Sequence, residues 1–365
     1  MDTLQQARDT INAVDRELAR LFTERMHAVR QVAEYKEERG LPIFDAAREA
    51  EVLKKAGNLI DDDTLRSYFL LFMEETMKIS KRYQRSLIEG VRVAYSGVEG
   101  AFAHIAAQRL FPEGSLISHP DFASAYQSVV SGDCELCVLP LENSYAGEVS
   151  QVLDLTYAGP LTITGVYNLR VKHNLLGVPG TKIGDIKTVL SHPQALDQCA
   201  AYIKDHGFEE RRATNTAVAA QTVAEGKDRT LAAIASAETA ALYGLTVLDH
   251  DINASDTNTT RFAVYSRVEN EASSKKDHIF LLLFTVSNTA GALAKAVNVI
   301  SAYGFNMRVL RSRPVKDKPF QYYFYVEAEG DEKSERGQSM LKALAACCSS
   351  LKIAGRYAPE TTLEN

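Results

Sequence analysis

Near the N-terminus apolar positions recur at alternating steps of three and four. Leu4, Ala7, Ile11, Val14, Leu18, Leu21, Ala28 and Val32 form one seam, the pattern of a long helix packed on partners. The seam position between Leu21 and Ala28 is occupied by Arg25. Gly40 and Pro42 end the pattern. From Leu4 to Arg39 such a helix measures about 54 Å at 1.5 Å per residue, longer than so small a domain is wide, so the pattern predicts a dimer wrapped around it. A second helix is expected from Asp45, a residue suited to capping it, to Gly57, and a third from the acidic run Asp61, Asp62, Asp63 to about Ile88.

Gly90 breaks the helical pattern, and the period changes beyond it. Short β-rich runs (VRVAY, LCVLPL, LTITGVY, KTVLSH, LAAIA, RFAVYSR) alternate with helical stretches such as FASAYQSVVSGD and PQALDQCAAYIKDHG, which predicts an α/β sheet. The polar stretch NEASSKKD, residues 270–277, reads as a linker. After it the runs HIFLLLFTV, AGALAKAVNVISAYG, MRVLRSRPV, FQYYFYVEA, MLKALAACCSS and LKIAGRYA give strand, helix, strand, strand, helix, strand, a ferredoxin-like α+β unit. The expected domains are therefore 1–90, all helical; 91–268, α/β; and 277–358, α+β.

Composition narrows the partners. With 45% hydrophobic residues in 365 the chain can bury substantial cores, and a net charge of -6 leaves no basic footprint for nucleic acid or an anionic membrane. No apolar run approaches the roughly 20 residues needed to span a bilayer, and no apolar segment follows a basic N-terminus, so a cytoplasmic location is expected. Five cysteines are too few and too irregular for a disulfide framework. The pair Cys134 and Cys137, in CELCVLPL, has no second ligand pair, and on a strand its spacing would send the thiols to opposite faces; buried or reduced thiols are expected, not a metal site.

Arg25 and Lys36 are eleven residues apart, about 20° on a helical wheel, so both face the interior. Buried charge demands either acidic partners or an anionic ligand. Asp45, Arg48 and Glu49 share a face of the second helix with Val52, and Ser80 and Gln84 are one turn apart on the third. Arg8 lies about 100° off the Arg25 face and would enter such a pocket from the partner chain.

In order and spacing, Arg8, Arg25, Lys36, Asp45, Arg48, Glu49, Ser80 and Gln84 resemble the all-helical chorismate mutase family. The resemblance implies a Claisen rearrangement of chorismate to prephenate, with no nucleophile, metal or cofactor. It assigns the substrate carboxylates to Arg8 and Arg25, the ether oxygen, on which negative charge develops, to Lys36 and Gln84, and the hydroxyl to Asp45 and Glu49, with Arg48 and Ser80 completing the pocket.

In the α/β region five predicted strands end in small polar residues where helices begin: Ser96-Gly97, Glu142-Asn143-Ser144, Ser191-His192-Pro193-Gln194, Thr214-Asn215-Thr216 and Ser236. Helix N-termini present free N–H groups to anions, which suggests a site for a small polyanion as well as simple caps. GVEGAFAHIAA (97–107), PLENSYAGEV (140–149), SHPQAL (191–196) and NTTRF (258–262) resemble prephenate dehydratases. That resemblance implies two α/β subdomains around a cleft, like type-II periplasmic binding proteins, at about 91–167 with 250–267 and about 168–249. It puts Thr260 beside the leaving hydroxyl of prephenate as a hydrogen-bond donor, with Asn143, Ser144, Gln194, Thr216 and Arg261 as substrate binders. His104 and His192 are rival acids, because their imidazoles titrate near neutrality.

The C-terminal unit, with AGAL (290–293) and RSRP (311–314), resembles the ACT regulatory domain. The resemblance implies phenylalanine as effector, held by Gly291, Ala292, Leu293, Ser312 and Arg313. The family motif usually reads ESRP, and Arg311 stands here in place of its glutamate. Taken together the chain is similar to bifunctional chorismate mutase–prephenate dehydratases of phenylalanine biosynthesis, expected as a homodimer or higher homo-oligomer. Two alternatives stand beside this reading: a non-catalytic amino-acid-sensing binding protein, and an enzyme with one active site only. Retention of Thr260 and of all eight mutase positions argues against the first.

Overall fold

A computed structural model describes residues 3–255, 257–269, 278–316 and 318–363; the stretch read as a linker, 270–277, lies outside them. The chain folds into two compact units, Met1–Arg92 with Glu113–Ser115, and Val93–Pro112 with Leu116–Asn365. Among the described residues no helix is long and apolar enough to cross a membrane.

The first unit is three helices: α1 (Thr3–Glu38), α2 (Ala46–Gly57) and α3 (Asp63–Ile88). Asp45 caps α2 by accepting from Arg48 N, and Asp62 caps α3 by accepting from Leu65 N. Helices α2 and α3 cover only the C-terminal part of α1, whose buried residues are Val29 and Ala33. The seam itself stays open in one chain: Leu4, Ile11, Val14, Leu18 and Leu21 are all exposed.

The second unit holds two sheets. The larger takes β1 (Arg92–Ser96), β2 (Ser115–His119), β3 (Leu136–Asn143), the short β4 (Gly147–Glu148) and β5 (Thr162–Arg170), with α4 (Phe102–Leu110), α5 (Phe122–Ser131) and α6 (Ser150–Ala158) on its faces. The chain then builds a five-stranded sheet from β6 (Asn174–Gly177), β7 (Thr188–Ser191), β8 (Glu209–Arg212), β9 (Leu231–Ala235) and β10 (Thr246–Asp249), in the order β10-β6-β9-β7-β8. Its helices are α7 (Pro193–Gln198), α8 (Ala200–His206), α9 (Thr216–Gly226) and α10 (Ala237–Tyr243). Strand β11 (Thr259–Ser266) returns to the first sheet between β3 and β5, antiparallel to both.

The C-terminal segment is β12 (Ile279–Thr285), α11 (Ala292–Ala302), β13 (Asn306–Pro314), β14 (Tyr322–Glu329), α12 (Glu335–Ala345) and β15 (Ser350–Tyr357), followed by β16 (Thr361–Leu363). Its βαββαβ order and its strand order β13-β14-β12-β15 match the topology expected for it. The run IFLLLF of β12 lacks a period of two because both faces are buried: Ile279, Leu281 and Leu283 pack toward the α/β region, while Phe280, Leu282 and Phe284 pack under α11 and α12.

One feature was not anticipated. The C-terminal strands do not form a separate sheet, because β15 runs parallel to β5 with Gly355 opposite Ile163, and β16 pairs with β5 further along. A Cβ on Gly355 would lie 2.4 Å from the Ile163 carbonyl oxygen, so the junction requires glycine. Cys134 also departs from expectation: it precedes the first residue of β3, so strand alternation does not apply, and it shares one buried cluster with Cys137. Burial pushes the Cys137 thiol well above its usual range.

Candidate active sites

The helical unit contains a cavity of about 320 Å3 lined by Arg25, Lys36, Asp45, Arg48, Glu49, Ser80 and Gln84, seven of the eight positions singled out from sequence. Arg8 is exposed on the N-terminal part of α1 and is not among the lining residues. The cations are partnered in two ways. Glu49 Oε1 holds Lys81 Nζ at 2.7 Å, and Arg48 Nη1 turns to Glu51 Oε2 at 2.7 Å. Arg25, by contrast, donates to the hydroxyl of Ser80, and Lys36 Nζ donates to the Ile43 carbonyl at 2.5 Å. Neither makes an ion pair among the described residues, and burial lowers the pKa of Arg25. Gln84 Oε1 is buried with no hydrogen-bond partner among the described residues.

Three details correct or extend the sequence reading. One Asp45 oxygen is engaged in capping α2, accepting from Arg48 N at 3.0 Å. Arg48 reaches solvent and its own helix more than the cavity. Lys81 was missed, although its place one turn from Met77 and Gln84 set it on the same face of α3.

In the second unit a cavity of about 270 Å3 lies at the ends of β3 and β11 and against the starts of α7 and α9. Asn143, Gln194, Thr216 and Thr260 line it, with Phe102, Phe122 and Val171 as apolar wall and no Lys or Arg among its lining. Register explains the meeting of the two central residues, since Thr260 on β11 is the Cα partner of Asn143 on β3.

The hydrogen bonds fix how these groups are oriented. The backbone N–H groups of Tyr145 and Ala146 donate to Asn143 Oδ1 at 3.0 and 2.9 Å. Backbone N–H can only donate, so Asn143 presents Nδ2 on its other side, to Asn258 Oδ1 at 2.9 Å and Thr260 Oγ1 at 3.0 Å. Asn258 Nδ2 must then donate to Gln198 Oε1 at 2.9 Å, and His173 Nε2, 2.8 Å from that same oxygen, carries the imidazole proton. Two consequences follow. Thr260 accepts from Asn143, which leaves its hydroxyl hydrogen to donate. His173 Nδ1 and Gln198 Nε2 are buried polar atoms with no partner among the described residues.

His173, Gln198 and Asn258 were missed from sequence. Asn258 lies in the NTTRF motif, whereas nothing around His173 and Gln198 marks them before the fold is known. Of the rival acids, His192 lines the cavity but caps α7, its Nδ1 accepting from Gln194 N at 3.2 Å. His104 lies outside the lining, accepting from Gly100 N and packing on Tyr95 with ring centres 5.0 Å apart. Burial lowers the pKa of both, and of His173. Of the five strand-to-helix junctions, those at Asn143, at His192–Gln194 and at Thr214–Thr216 reach the cavity; Ser96-Gly97 and Ser236 do not.

Two residues read as substrate binders point elsewhere. Ser144 ties its loop to β11, donating to Thr257 O and accepting from Thr259 N, both at 3.0 Å. Arg261 follows Thr260 on a strand and therefore faces the opposite side of the sheet. There its guanidinium meets Glu142 at 3.3 Å, Glu327 at 2.8 Å and Glu360 at 2.6 Å. Burial disfavours its charge, but Glu327 and its neighbours more than offset this and raise its pKa.

Of the residues read as an effector site, Leu293 lines a cavity of about 280 Å3 with Ser287, Asn288, Phe320 and Tyr322. Gly291 caps α11 with φ +78, and a Cβ there would meet nothing within 4 Å; its backbone conformation, not a close approach, calls for glycine. Ala292 begins α11. Ser312 lies opposite Phe324 in the β13–β14 ladder. Arg313 leaves the C-terminal segment altogether, binding Glu148 Oε1 at 2.6 Å and Asp154 Oδ1 at 3.3 Å.

Comparison with known proteins agrees with this division. Residues 93–270 match the family model described as prephenate dehydratase, and residues 7–85 that described as chorismate mutase type II. A bifunctional chorismate mutase/prephenate dehydratase of Enterobacter agglomerans is 31% identical over 372 residues, covering 98% of this chain and 96% of the relative. A solved prephenate dehydratase from Arthrobacter aurescens, in complex with L-Phe, is 25% identical with a TM-score of 0.67, over 74% of this chain and 90% of that one. A structure described as a quorum-quenching acylase is 31% identical with a TM-score of 0.68, over 73% of this chain and 97% of that one.

Proposed function

The chain belongs to the family of bifunctional chorismate mutase/prephenate dehydratases, and on that footing we propose how its two cavities divide the work. It is an enzyme that rearranges chorismate to prephenate and converts prephenate to phenylpyruvate. The helical cavity takes the first step and the cavity at Thr260 the second.

The observation that carries the assignment is the state of the charges in the helical cavity. Arg25 and Lys36 are half-buried, donate to neutral oxygens and make no ion pair among the described residues, a costly arrangement unless an anion arrives. Chorismate brings two carboxylates, and its ether oxygen gains negative charge as the C–O bond breaks. Arg25 holds a carboxylate; Lys36 and the amide of Gln84 serve the ether oxygen. Asp45 and Glu49 remain for the hydroxyl, and Lys81 holds Glu49 in place. Arg8 enters from a second copy of the chain, whose α1 covers the exposed seam of Leu4, Ile11, Val14, Leu18 and Leu21.

In the second cavity prephenate loses its ring hydroxyl and one carboxylate. Thr260 donates a hydrogen bond to the departing oxygen as that C–O bond breaks; the electrons of the C–C bond to the carboxylate enter the ring, CO2 leaves, and the departing hydroxide takes a proton from solvent to become water. Asn143 fixes the Thr260 oxygen, and Gln194 and the N–H groups at the start of α9 receive the remaining carboxylate. Phe102, Phe122 and Val171 give the departing carboxylate a poorly solvated wall. An acyl-transfer reading would need Thr260 as nucleophile beside a base; its oxygen instead accepts from an amide N–H. The C-terminal βαββαβ unit is read as an ACT domain with phenylalanine as effector, bound near Gly291, Leu293 and Ser312; Arg313 is not part of that site.

Purified protein supplied with chorismate releases phenylpyruvate, and added phenylalanine slows the second step. Accumulation of prephenate would overturn the dehydratase assignment, and untouched chorismate with prephenate consumed would overturn the mutase assignment.

A further inference from the structure

The back of the catalytic strand pair carries a charge cluster that neither reaction uses. Where Asn143 and Thr260 are paired across β3 and β11 on the cavity side, the next pair in the ladder, Glu142 and Arg261, faces away. Those two side chains meet each other and are then held from the C-terminal segment. Arg311 Nη2 on β13 reaches Glu142 Oε1 at 2.5 Å, and Glu327 on β14 and Glu360 beside β16 reach Arg261 at 2.8 and 2.6 Å. Arg308 Nη1 closes the cluster on Glu360 at 2.8 Å. Glu142, Glu327 and Glu360 thus face Arg261, Arg308 and Arg311, with the more exposed Glu329 adding to Arg308 at 3.6 Å. Glu327 is 1% exposed and Glu360 7% by side chain, so these are not solvated surface pairs.

We propose that Arg311 and Arg261 are positioning residues for the dehydratase step: through Glu142 and Glu327 the C-terminal unit clamps the register of the two strands that present Asn143 and Thr260. Glu142 and Asn143 share a peptide bond, as do Arg261 and Thr260, so a carboxylate or guanidinium that shifts to regain solvent drags a catalytic neighbour with it. Losing the Arg311 charge leaves Glu142 only the longer contact to Arg261 at 3.3 Å and leaves the partly buried cluster short of a cation, which drives such a shift. Arg311 stands where the ACT motif usually has glutamate, and a glutamate there would repel Glu142 at this distance. The clamp is therefore a feature of this chain's own pairing, and it makes the C-terminal unit a structural part of the catalytic site. The proposal rests on the assignment of Asn143 and Thr260 to the dehydratase step.

The test is a cycle of Arg311→Gln, Glu142→Gln and the double variant in the full-length protein. It reads kcat and KM on prephenate, the mutase rate on chorismate, and Arg311→Lys as rescue. Wild-type turnover of prephenate comes first, since its absence would end the dehydratase reading itself. Arg311→Gln is expected to lower dehydratase kcat about tenfold, with KM changed less than about twofold and the mutase rate unchanged. Arg311→Lys recovers most of the loss, and the two Gln substitutions together cost less than the product of their separate effects. Should Arg311→Gln also depress the melting temperature, kcat is referred to the folded fraction measured at the assay temperature: a purely structural role loses the effect after that correction, whereas a positioning role keeps the tenfold loss. A kcat within twofold of wild type, or multiplicative losses in the cycle, would overturn the proposal.

Discussion

The two cavities, similar in volume, solve the binding of similar anions by different physics. The helical one relies on net charge: Arg25 and Lys36 sit half-buried with neutral partners, on a helix whose apolar seam is exposed in a single chain. The α/β one has no cation in its lining and relies on orientation, a chain of amides anchored by the N–H groups of Tyr145 and Ala146 and ending at Thr260 and His173. A rearrangement needs its developing charge stabilised, and side-chain cations can do that from flexible stems. Expelling a hydroxyl and CO2 needs one hydrogen-bond donor aimed at one oxygen, which a rigid strand pair supplies better.

That contrast can be broken at several points. The largest effect is expected from Asn143→Ala, which unties Thr260, Asn258 and Gln194 at once: dehydratase kcat should fall about 10²- to 10³-fold with the mutase rate intact. In the helical cavity Arg25→Ala should cost the mutase about 10²-fold in kcat/KM, and Arg25→Lys should recover little because a point charge does not reproduce the fork held by Ser80. Raising ionic strength should raise KM for chorismate more than KM for prephenate, because only the first site depends on half-exposed cations. If the helical pocket takes Arg8 from a partner, mixing and refolding the inactive Arg8→Ala and Arg25→Ala chains should restore about a quarter of the mutase activity, since half the dimers regain one intact pocket; no recovery would place Arg8 outside the shared site.

The smallest effect concerns pH. Burial lowers the folded pKa of His173 and His192. The unfolded chain therefore binds more protons near their ordinary pKa of about 6.5; the stability from keeping them neutral is present above that pH and is lost as pH falls through it. Despite burial, Glu142 is lowered by Arg311 and Arg261, and Glu360 by its own backbone N–H and then by Arg308 and Arg261; both add a second loss nearer pH 4. The melting temperature of the dehydratase unit should drop by a few degrees between about pH 7.5 and 5.5, and less so in His192→Asn, where the amide oxygen retains the cap of α7.

Much of this was legible beforehand because it is local. Seam spacing gave α1, cap chemistry at Asp45 and Asp62 gave the starts of α2 and α3, and helical spacing put Arg25 with Lys36 on one face of α1 and Ser80 with Gln84 on one face of α3. Motif order marked Thr260, Asn143 and Gln194, and the strand-to-helix junction at Thr214–Thr216 marked Thr216. The errors are of two kinds. Arg261 and Ser144 were misplaced where motif membership was weighed above strand alternation, which alone separates Arg261 from Thr260. His173, Gln198, the Gly355–Ile163 junction and the partners of Arg313 depend on pairings between segments far apart in sequence, and no local period encodes them. The C-terminal strands read as an independent sheet because β12 carries no sign of which strand its neighbour β15 will meet.

The central claim is that one chain holds two chemically independent active sites, and Thr260→Ala and Arg25→Ala supplied in turn with chorismate and prephenate test it most directly. Thr260→Ala should turn chorismate into prephenate at the wild-type rate and stop there, while Arg25→Ala should leave chorismate but convert added prephenate to phenylpyruvate. If either substitution abolishes both steps in folded protein, or if Thr260→Ala still releases phenylpyruvate at the wild-type rate, the account is wrong.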